Sequence, residues 1–190
     1  MMKRIVFDFD GTLLDSRQRH VIVLNDCLRH FGVADVNPTE YLTYKANGNS
    51  TYSFLRKILM LPEELADKIS KQWVSVIEQD VYLETDRLYA DAISILQYCS
   101  NIAELYLLSA RSNEAALHRQ VERFGLKPYF CEVICVSPLN AVAEKTDILR
   151  RIKPCTIVGD TEVEYQAAQE MGIPCYLLNR GFRSKEYFAQ

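Results

Sequence analysis

The chain has 190 residues, of which 48% are hydrophobic and 25% are charged, and its formal net charge is −3. This composition is typical of a soluble globular protein, and without a long basic run it argues against nucleic-acid binding. With no apolar stretch of membrane-spanning length, and with scattered cysteines typical of free thiols, we expect a cytoplasmic protein. We expect neither a membrane nor a nucleic-acid partner, and either a monomer or a homodimer.

The N-terminal stretch 4–12 contains an apolar, β-branched run at 5–7 that continues into Asp8 and Asp10 and breaks at Gly11. This pattern predicts a short buried strand whose C-terminal end presents both carboxylates on one face. Open α/β sheets place their ligand sites at such ends. Two carboxylates this close disfavour each other's ionisation unless a cation or a proton relieves them. The alternative is a strand end with two solvated acids.

Helical patterns fill residues 16 to about 84, with no strand pattern among them. The predicted helices cover residues 16–30, 37–44, 51–60 and 62–82. Ser16 is expected to cap the first helix and Gly32 to end it. Residues 45–50 interrupt the helical pattern with turn-forming residues.

From residue 88 onward, short apolar runs alternate with helical patterns. The predicted strands are 104–109, 130–136, 155–159 and 175–178, and the predicted helices are 90–99, 114–124, 139–152 and 162–171. Alternating strands and helices predict a parallel sheet with right-handed crossovers. We therefore expect an α/β fold with a parallel, five-stranded, Rossmann-like sheet.

The helical block interrupts this α/β fold between its first and second strands. We expect residues 1–15 and 85–190 to form the α/β core domain, and residues 16–84 to form an inserted helical cap domain. An insertion at the carboxyl edge of a central strand lies over the ligand crevice, so we expect the cap to cover the site. The expected hinges are 14–17 and 83–88.

Polar residues occur at or near the ends of several predicted strands. Asp8 and Asp10 follow the first strand, Ser109 ends the second, Asp160 follows the fourth, and Lys145 lies near the start of the preceding helix. In this order the chain resembles the haloacid dehalogenase-like hydrolase superfamily, whose motifs are Asp-x-Asp-Gly-Thr, a Ser or Thr, a lysine, and an acidic pair after Gly-Asp. The resemblance covers nearly the whole chain and includes the inserted cap.

The resemblance implies a phosphatase of the phosphoglycolate phosphatase-like subfamily, acting on a small phosphorylated metabolite. Asp8 would be the nucleophile that forms an aspartyl phosphate, and Asp10 the general acid and then the general base. An acid at Asp10 suits the leaving oxygen of a phosphate ester, whereas a halide leaves without a proton. Alternatives are a sugar phosphomutase and a catalytically weak phosphate-binding or regulatory module, while a receiver domain is disfavoured.

The resemblance also implies a Mg²⁺ cofactor, held by Asp8, the backbone carbonyl of Asp10, and Asp160. Glu164 replaces the family's second motif-four Asp and is a candidate metal ligand, directly or through water, although it or Glu162 could instead face solvent. The expected phosphate contacts are Gly11, Thr12, Ser109, Ala110 and Lys145. Lys153 competes with Lys145 for the lysine role, but we expect it at the opposite edge of the sheet.

Substrate choice is expected to depend mainly on the cap, with further candidates beside the motifs. The specificity candidates are Arg17, Lys45, Asn47, Gly48, Asn49 and Arg111. The alternative is that the turn at 45–50 is a plain surface turn and that both arginines are solvated.

Overall fold

The computed structural model describes residues 2–189 and divides into two compact units. The first, here called the α/β unit, comprises the chain up to Asp15 and the segment Arg87–Gly181. The second, here called the helical unit, comprises Ser16–Asp86 and the chain from Phe182 onward. The first two boundaries between the units lie within the expected hinges.

Seven strands are present in the described residues. In chain order they are β1 Lys3–Phe7, β2 Leu14–Asp15, β3 Arg87–Leu88, β4 Ala103–Ala110, β5 Phe130–Val136, β6 Thr156–Gly159 and β7 Cys175–Leu177. Five form one parallel sheet in the order β5-β4-β1-β6-β7, which confirms the predicted fold class. The antiparallel pair β2–β3 was not predicted, because two residues are too few to show a periodic pattern.

Ten α-helices are present in the same residues. They are α1 Arg17–His30, α2 Pro38–Ala46, α3 Thr51–Lys57, α4 Glu63–Val76, α5 Asp80–Leu83, α6 Ala92–Ser100, α7 Glu114–Arg123, α8 Ala141–Ile152, α9 Glu162–Met171 and α10 Lys185–Phe188. The single helix predicted over 62–82 is two helices, because Gln79 is extended. Ser16 precedes α1 but makes no capping hydrogen bond with its side chain, contrary to expectation.

Strand β1 lies at the centre of the sheet and sends side chains into two cores. Phe7 packs with Leu105 and Leu107 in one hydrophobic cluster, whereas Val6 packs with Leu108 and other residues in a second. Neighbouring residues on a strand point to opposite faces, so each face of β1 is covered. Burial on both faces explains why residues 5–7 of this strand are all apolar.

The helical unit has a core of its own. Leu24 and Leu28 of α1 are fully buried in it with Tyr41 of α2 and Phe54 of α3. The rings of Tyr41 and Phe54 meet edge to face at 5.1 Å between centroids. The Tyr41 hydroxyl lies 2.7 Å from the Thr51 hydroxyl, so the one polar atom of this buried ring has a hydrogen-bond partner.

The C-terminal segment 182–189 belongs to the helical unit, whereas the sequence placed it in the α/β domain because it follows the last strand. The backbone N–H of Ser184 donates to the carbonyl of Ala46 at 3.0 Å, at the end of α2. The guanidinium of Arg183 donates to the carbonyl of Lys45 at 3.4 Å. These hydrogen bonds join the segment to α2, and no periodic pattern in so short a stretch could have indicated them.

None of the helices between residues 2 and 189 combines the length and the apolar character that crossing a membrane requires.

We predict that Asp86→Ala strongly destabilises the helical unit. Arg19 and Asp86 have side chains that are 3% and 0% exposed, and Arg19 Nε lies 3.4 Å from Asp86 Oδ1. Removing the carboxylate deprives a buried guanidinium of this counter-charge, which costs about 3–5 kcal/mol of unfolding free energy. Urea unfolding followed by the fluorescence of Trp73, the single tryptophan and a residue of α4, measures the loss.

Glu64→Gln is the matched control, since it breaks a solvent-exposed ion pair between Glu64 and Lys68 in the same unit. We expect its unfolding midpoint to equal that of the wild type. Equal midpoints for Asp86→Ala and Glu64→Gln would contradict the importance of the buried pair.

Candidate active site

Asp8 directly follows the central strand of the sheet. Its backbone N–H donates to the carbonyl of Val158 in β6 at 2.9 Å, and the residue is 6% exposed. The preceding Phe7 pairs with Leu107 of β4 on one side and Val158 on the other. Strand β6 therefore holds the backbone of Asp8 directly, and both neighbouring strands hold Phe7 just before it, at the carboxyl ends where ligands bind in such folds.

Lys145 of α8 reaches Asp8 and also Glu164 of α9. Its ammonium nitrogen lies 2.7 Å from Asp8 Oδ1, and it donates a second hydrogen bond to Glu164 Oε1. Lys145 is 1% exposed and Glu164 is 2% exposed. Lys153 instead forms the left-handed C-cap of α8, so Lys145 is the lysine that lies beside Asp8.

Charge is not balanced in this buried group. Burial raises the pKa of Asp8, the Lys145 ammonium opposes this, and Glu164 and Asp10 raise the pKa further, to about 7. Although burial opposes ionisation of Glu164 too, the Lys145 ammonium and the hydrogen bonds to its carboxylate hold its pKa below the usual value. One ammonium thus stabilises Glu164 as a carboxylate but does not fully compensate Asp8.

Glu164 was a candidate metal ligand, directly or through water, and that role stays a prediction. Its Oε1 accepts from Lys145, and its Oε2 accepts from the hydroxyl of Thr161 at 2.6 Å and from the backbone N–H of Thr161 at 3.2 Å. The hydrogen bond from the Thr161 backbone N–H is half of a capping box. In the other half, the side chain of Thr161 accepts a hydrogen bond from a backbone N–H at the start of α9. Both oxygens of Glu164 are therefore engaged by donors of this chain.

Asp10 is bound by Arg111 through two parallel hydrogen bonds. Arg111 Nε lies 2.7 Å from Asp10 Oδ2, and Nη2 lies 3.0 Å from Oδ1. The guanidinium carbon lies 5.4 Å from the centroid of the Phe9 ring, and Arg111 is 3% exposed. The alternative of a solvated arginine is wrong, because Arg111 is buried against Asp10, whereas a contact between Arg111 and substrate stays a prediction.

The turn after Asp10 is closed by its own backbone. The N–H of Gly11 donates to the Leu14 carbonyl at 2.7 Å, and the N–H of Thr12 donates to the Phe9 carbonyl at 3.2 Å. Gly11 and Thr12 were expected to contact phosphate; in this structure their N–H groups are engaged within the turn, and the contact with phosphate stays a prediction. The positive φ of 76° at Gly11 allows that geometry.

Asp160 follows β6 and is completely buried against this turn. The Thr12 hydroxyl lies 3.5 Å from its Oδ1. A Cβ at Gly11 would lie 2.1 Å from Asp160 Oδ2, and a Cβ at Gly181 would lie 2.0 Å from the same atom. Only residues without a side chain allow the Asp160 carboxylate to occupy this position.

The carboxylate oxygens of Asp8 and Asp160 are of the kind that Mg²⁺ prefers as ligands. Among residues 2–189, no three His, Cys, Asp or Glu side chains form a group suited to a metal. The ligand set implied by the resemblance needs only two carboxylate side chains, Asp8 and Asp160, because the third ligand is the backbone carbonyl of Asp10. The donor chemistry and the uncompensated charge at Asp8 therefore fit a divalent cation.

Ser109 and Ala110 end strand β4, next to β1 in the sheet. Ser109 is 1% exposed, and within the described chain its hydroxyl has no hydrogen-bond partner. An unbonded hydroxyl at this end of the sheet can donate to a ligand oxygen.

The remaining specificity candidates lie in the helical unit. Arg17 is the first residue of α1, Lys45 lies in the last turn of α2, and Asn47 is its C-cap. Gly48 has a φ of 80°, and the Asn49 amide donates to the Tyr44 carbonyl at 3.1 Å. These observations describe an ordered turn and do not by themselves assign a ligand.

Arg180 was not singled out from the sequence. Its guanidinium donates to the carbonyl of Thr12 at 2.7 Å and forms an ion pair with Asp91 at 2.6 Å. It also lies 4.3 Å from the centroid of the Tyr89 ring. Arg180 thus holds the turn after Asp10 through Thr12, which lies 168 residues away in the sequence, and nothing local in the sequence indicates that contact.

Known proteins resemble this chain over nearly its whole length. The family model of the haloacid dehalogenase-like hydrolases matches residues 2–172. A phosphoglycolate phosphatase from Rhodobacter capsulatus is 29% identical over 96% of this chain and 87% of its own length. A phosphoglycolate phosphatase from Aquifex aeolicus is 24% identical over 95% of this chain and 86% of its own length.

Solved structures share the fold. A haloacid dehalogenase-like family hydrolase from Streptococcus pneumoniae superposes with a TM-score of 0.80 at 18% identity, covering 99% of this chain and 90% of that one. A haloacid dehalogenase-superfamily hydrolase of subfamily IA from Geobacter sulfurreducens superposes with a TM-score of 0.70 at 16% identity, covering 98% and 93%. The match of the family model confirms the prediction from the motifs: the chain belongs to the haloacid dehalogenase-like hydrolases and is an enzyme of that family.

Proposed function

We propose that the chain is a Mg²⁺-dependent phosphatase that hydrolyses a small phosphorylated metabolite through an aspartyl phosphate on Asp8. The observation that carries this proposal is the buried carboxylate of Asp8, held at the end of the central strand in contact with Lys145. The named phosphatases among the relatives support the same reaction.

The reaction needs mainly positioning and charge compensation. Hydrolysis of a phosphate monoester is so slow in water that an enzyme has to lower the barrier by roughly 20 kcal/mol or more. Phosphoryl transfer leaves little covalent chemistry to side chains, so most of this comes from orientation and electrostatics. A rigid strand end with a buried ammonium beside the nucleophile supplies both.

In the first step an oxygen of Asp8 attacks phosphorus in line with the leaving oxygen, and the bond from phosphorus to that oxygen breaks. The leaving oxygen takes a proton from Asp10. Lys145 offsets negative charge on the nucleophile and on the phosphoryl oxygens, and the Ser109 hydroxyl donates to one of those oxygens. In the second step water attacks phosphorus, Asp10 accepts its proton, and the carboxylate of Asp8 is released.

The ion pair between Asp10 and Arg111 bears on this proton transfer. A carboxylate held by a guanidinium is in the ionised form, which suits the base of the second step. To act first as the acid, Asp10 has to leave Arg111 and take up a proton from water, which it then passes to the leaving oxygen. We therefore propose that Arg111 positions Asp10 before the substrate arrives.

The cation would be held by Asp8, the backbone carbonyl of Asp10, and Asp160. When bound, Mg²⁺ supplies positive charge that permits a carboxylate to approach a phosphate dianion. The buried carboxylate of Asp160 can lie beside the turn that follows Asp10 because residues 11 and 181 are glycines, and a Cβ at either position would clash with it.

The substrate is proposed to carry one phosphate on a small organic acid or a similar metabolite. Two relatives named above are phosphoglycolate phosphatases, which makes phosphoglycolate the first compound to assay. We further propose that the helical unit is a cap whose turn at 45–50 and Arg17 contribute to substrate choice.

The experiment that tests the proposed function assays purified protein against a panel of phosphorylated metabolites, with Mg²⁺ and after treatment with a chelator. We expect release of inorganic phosphate that depends on Mg²⁺ and returns when the metal is restored. Isomerised sugar phosphate without free phosphate would identify a mutase instead, and no turnover of any compound would overturn the proposal.

We predict that Asp8→Asn lowers turnover of p-nitrophenyl phosphate by at least about 10³-fold, because an amide oxygen is a far weaker nucleophile. The variant should remain folded, since Lys145 keeps its hydrogen bond to Glu164. Phosphate release and circular dichroism measure the two effects. Turnover at the wild-type rate would exclude Asp8 as the nucleophile.

We predict that Lys145→Met lowers kcat by about 10²–10³-fold, because it removes the ammonium that offsets charge at the reacting group. Lys153→Met is the matched control from the same helix, since Lys153 lies at its C-cap and not beside Asp8. Steady-state kinetics of the two variants should differ by at least tenfold. Similar losses in both would show that the effect reflects α8 as a whole and not the charge at Lys145.

A further inference from the structure

The guanidinium of Arg180 is held in place by other residues of the α/β unit while it contacts the turn after Asp10. Its Nη2 donates to the carbonyl of Thr12 at 2.7 Å, and its Nη1 lies 2.6 Å from Oδ1 of Asp91. The Tyr89 hydroxyl donates to the Arg180 carbonyl at 2.7 Å, and the Tyr89 ring lies 4.3 Å from the guanidinium carbon. An ion pair, a ring contact and a backbone hydrogen bond together fix the direction in which this guanidinium points.

Arg180 and the carbonyl of Phe9 hold opposite sides of one peptide unit in this turn. The carbonyl of Thr12 and the N–H of Leu13 belong to the same planar trans peptide, so they point in opposite directions. The carbonyl accepts from Arg180, and the N–H donates to the Phe9 carbonyl at 3.0 Å. Because both sides of the peptide are bonded, it cannot rotate without losing one of these hydrogen bonds.

The same turn sets the direction of the Asp10 carbonyl, the backbone group expected to bind the cation. This carbonyl shares a peptide unit with the N–H of Gly11, which donates to the Leu14 carbonyl at 2.7 Å. The direction of the Asp10 carbonyl therefore depends on the conformation of the whole turn. Arg180 stabilises that conformation from outside the turn.

The residue after Arg180 touches the turn and a second expected ligand of the cation. A Cβ at Gly181 would lie 2.0 Å from Oδ2 of Asp160 and 2.7 Å from the Cα of Gly11. The backbone of Gly181 therefore packs against both the Asp160 carboxylate and the turn. Arg180 and Gly181 thus contact the groups that carry, or lie next to, two of the three expected ligands.

We propose that Arg180 is a positioning residue, which fixes the turn after Asp10 so that the Asp10 carbonyl and the Asp160 carboxylate are oriented to bind the cation. This deepens the proposed function and rests on it, because the cation is the one that the phosphatase reaction would use. Arg180 acts through other residues, since its two terminal nitrogens already bond Asp91 and the Thr12 carbonyl. Loss of the guanidinium therefore weakens cation binding without removing a ligand.

Binding of Mn²⁺ tests this without any turnover, because the free and the bound ion differ in their electron paramagnetic resonance signals. In the absence of substrate we expect Arg180→Ala to raise the Kd for Mn²⁺ by roughly 10–100-fold, the usual cost of removing a group that orients metal ligands. Arg150→Ala is the matched control, since it removes an arginine from the same unit whose side chain is 58% exposed. It should bind Mn²⁺ as the wild type does.

Methylguanidinium separates the positioning role from a general loss of structure. The side chain of Arg180 is 28% exposed, so the space left in Arg180→Ala is open to solvent. We expect methylguanidinium at millimolar concentration to restore Mn²⁺ affinity in Arg180→Ala and to leave the wild type unchanged. An affinity that methylguanidinium does not raise in the folded variant would overturn the positioning role.

Arg180→Lys is the conservative variant. Lysine keeps the charge but lacks the planar fork that bonds Asp91 and the Thr12 carbonyl at once, so its Kd for Mn²⁺ should lie between those of the wild type and Arg180→Ala. Circular dichroism shows whether each variant is folded. If Arg180→Ala does not fold, Arg180→Lys decides the question: a Kd equal to that of the wild type overturns the proposal, and a higher one supports it.

Steady-state kinetics with p-nitrophenyl phosphate distinguish positioning from a contact with substrate. At saturating Mg²⁺ we expect Arg180→Ala to lower kcat by roughly tenfold or more and to leave KM within about threefold of the wild type. A raised KM with an unchanged kcat would make Arg180 a substrate contact and overturn the proposal.

The two readouts also separate this proposal from the proposed function. Equal Mn²⁺ affinity in the wild type and Arg180→Ala would overturn the role of Arg180 and leave the phosphatase reaction standing. Mn²⁺ binding that depends on Arg180, without release of phosphate from any compound, would refute the proposed function alone. A wild-type protein that binds no Mn²⁺ would overturn the assignment of the cation ligands and, with it, the role of Arg180.

Discussion

Two carboxylates and one ammonium share a buried position at the end of the central strand, and the rest of the α/β unit depends on their contact. Lys145 is separated from Asp8 by 137 residues and from Glu164 by 19, so a single side chain links β1, α8 and α9. Ions removed from water are costly unless paired and hydrogen-bonded, and these elements therefore have to stay together. The strain in this arrangement is electrostatic: one positive charge faces two negative ones.

The surrounding structure restricts how the charged groups can move. Core packing on both faces of β1 holds the backbone of Asp8, while Arg111 and Arg180 hold the next turn through Asp10 and the Thr12 carbonyl. Preorganised charges lose little energy to reorientation when a reaction begins. The arrangement explains why so many buried polar groups gather in one small part of an otherwise apolar unit.

The sequence predicted the elements whose pattern is local and missed contacts made between distant positions. The parallel strands and most helices follow from the periodicity of apolar residues. The choice of Lys145 over Lys153 follows from where each lysine lies relative to the next strand. Glu164 carries a carboxylate, as many metal ligands do, but the oxygens of its longer side chain accept hydrogen bonds from Thr161 and Lys145. Arg180 and the C-terminal segment act through tertiary contacts, and no pattern within a few residues of either indicates its partner.

The chain enters the helical unit twice, because the segment that follows the last strand returns to it. The unit is consequently not a single continuous module. Cutting out Ser16–Asp86 for a chimera would leave Arg183 and Tyr187 behind on the donor scaffold, and a graft of that piece alone would lack both.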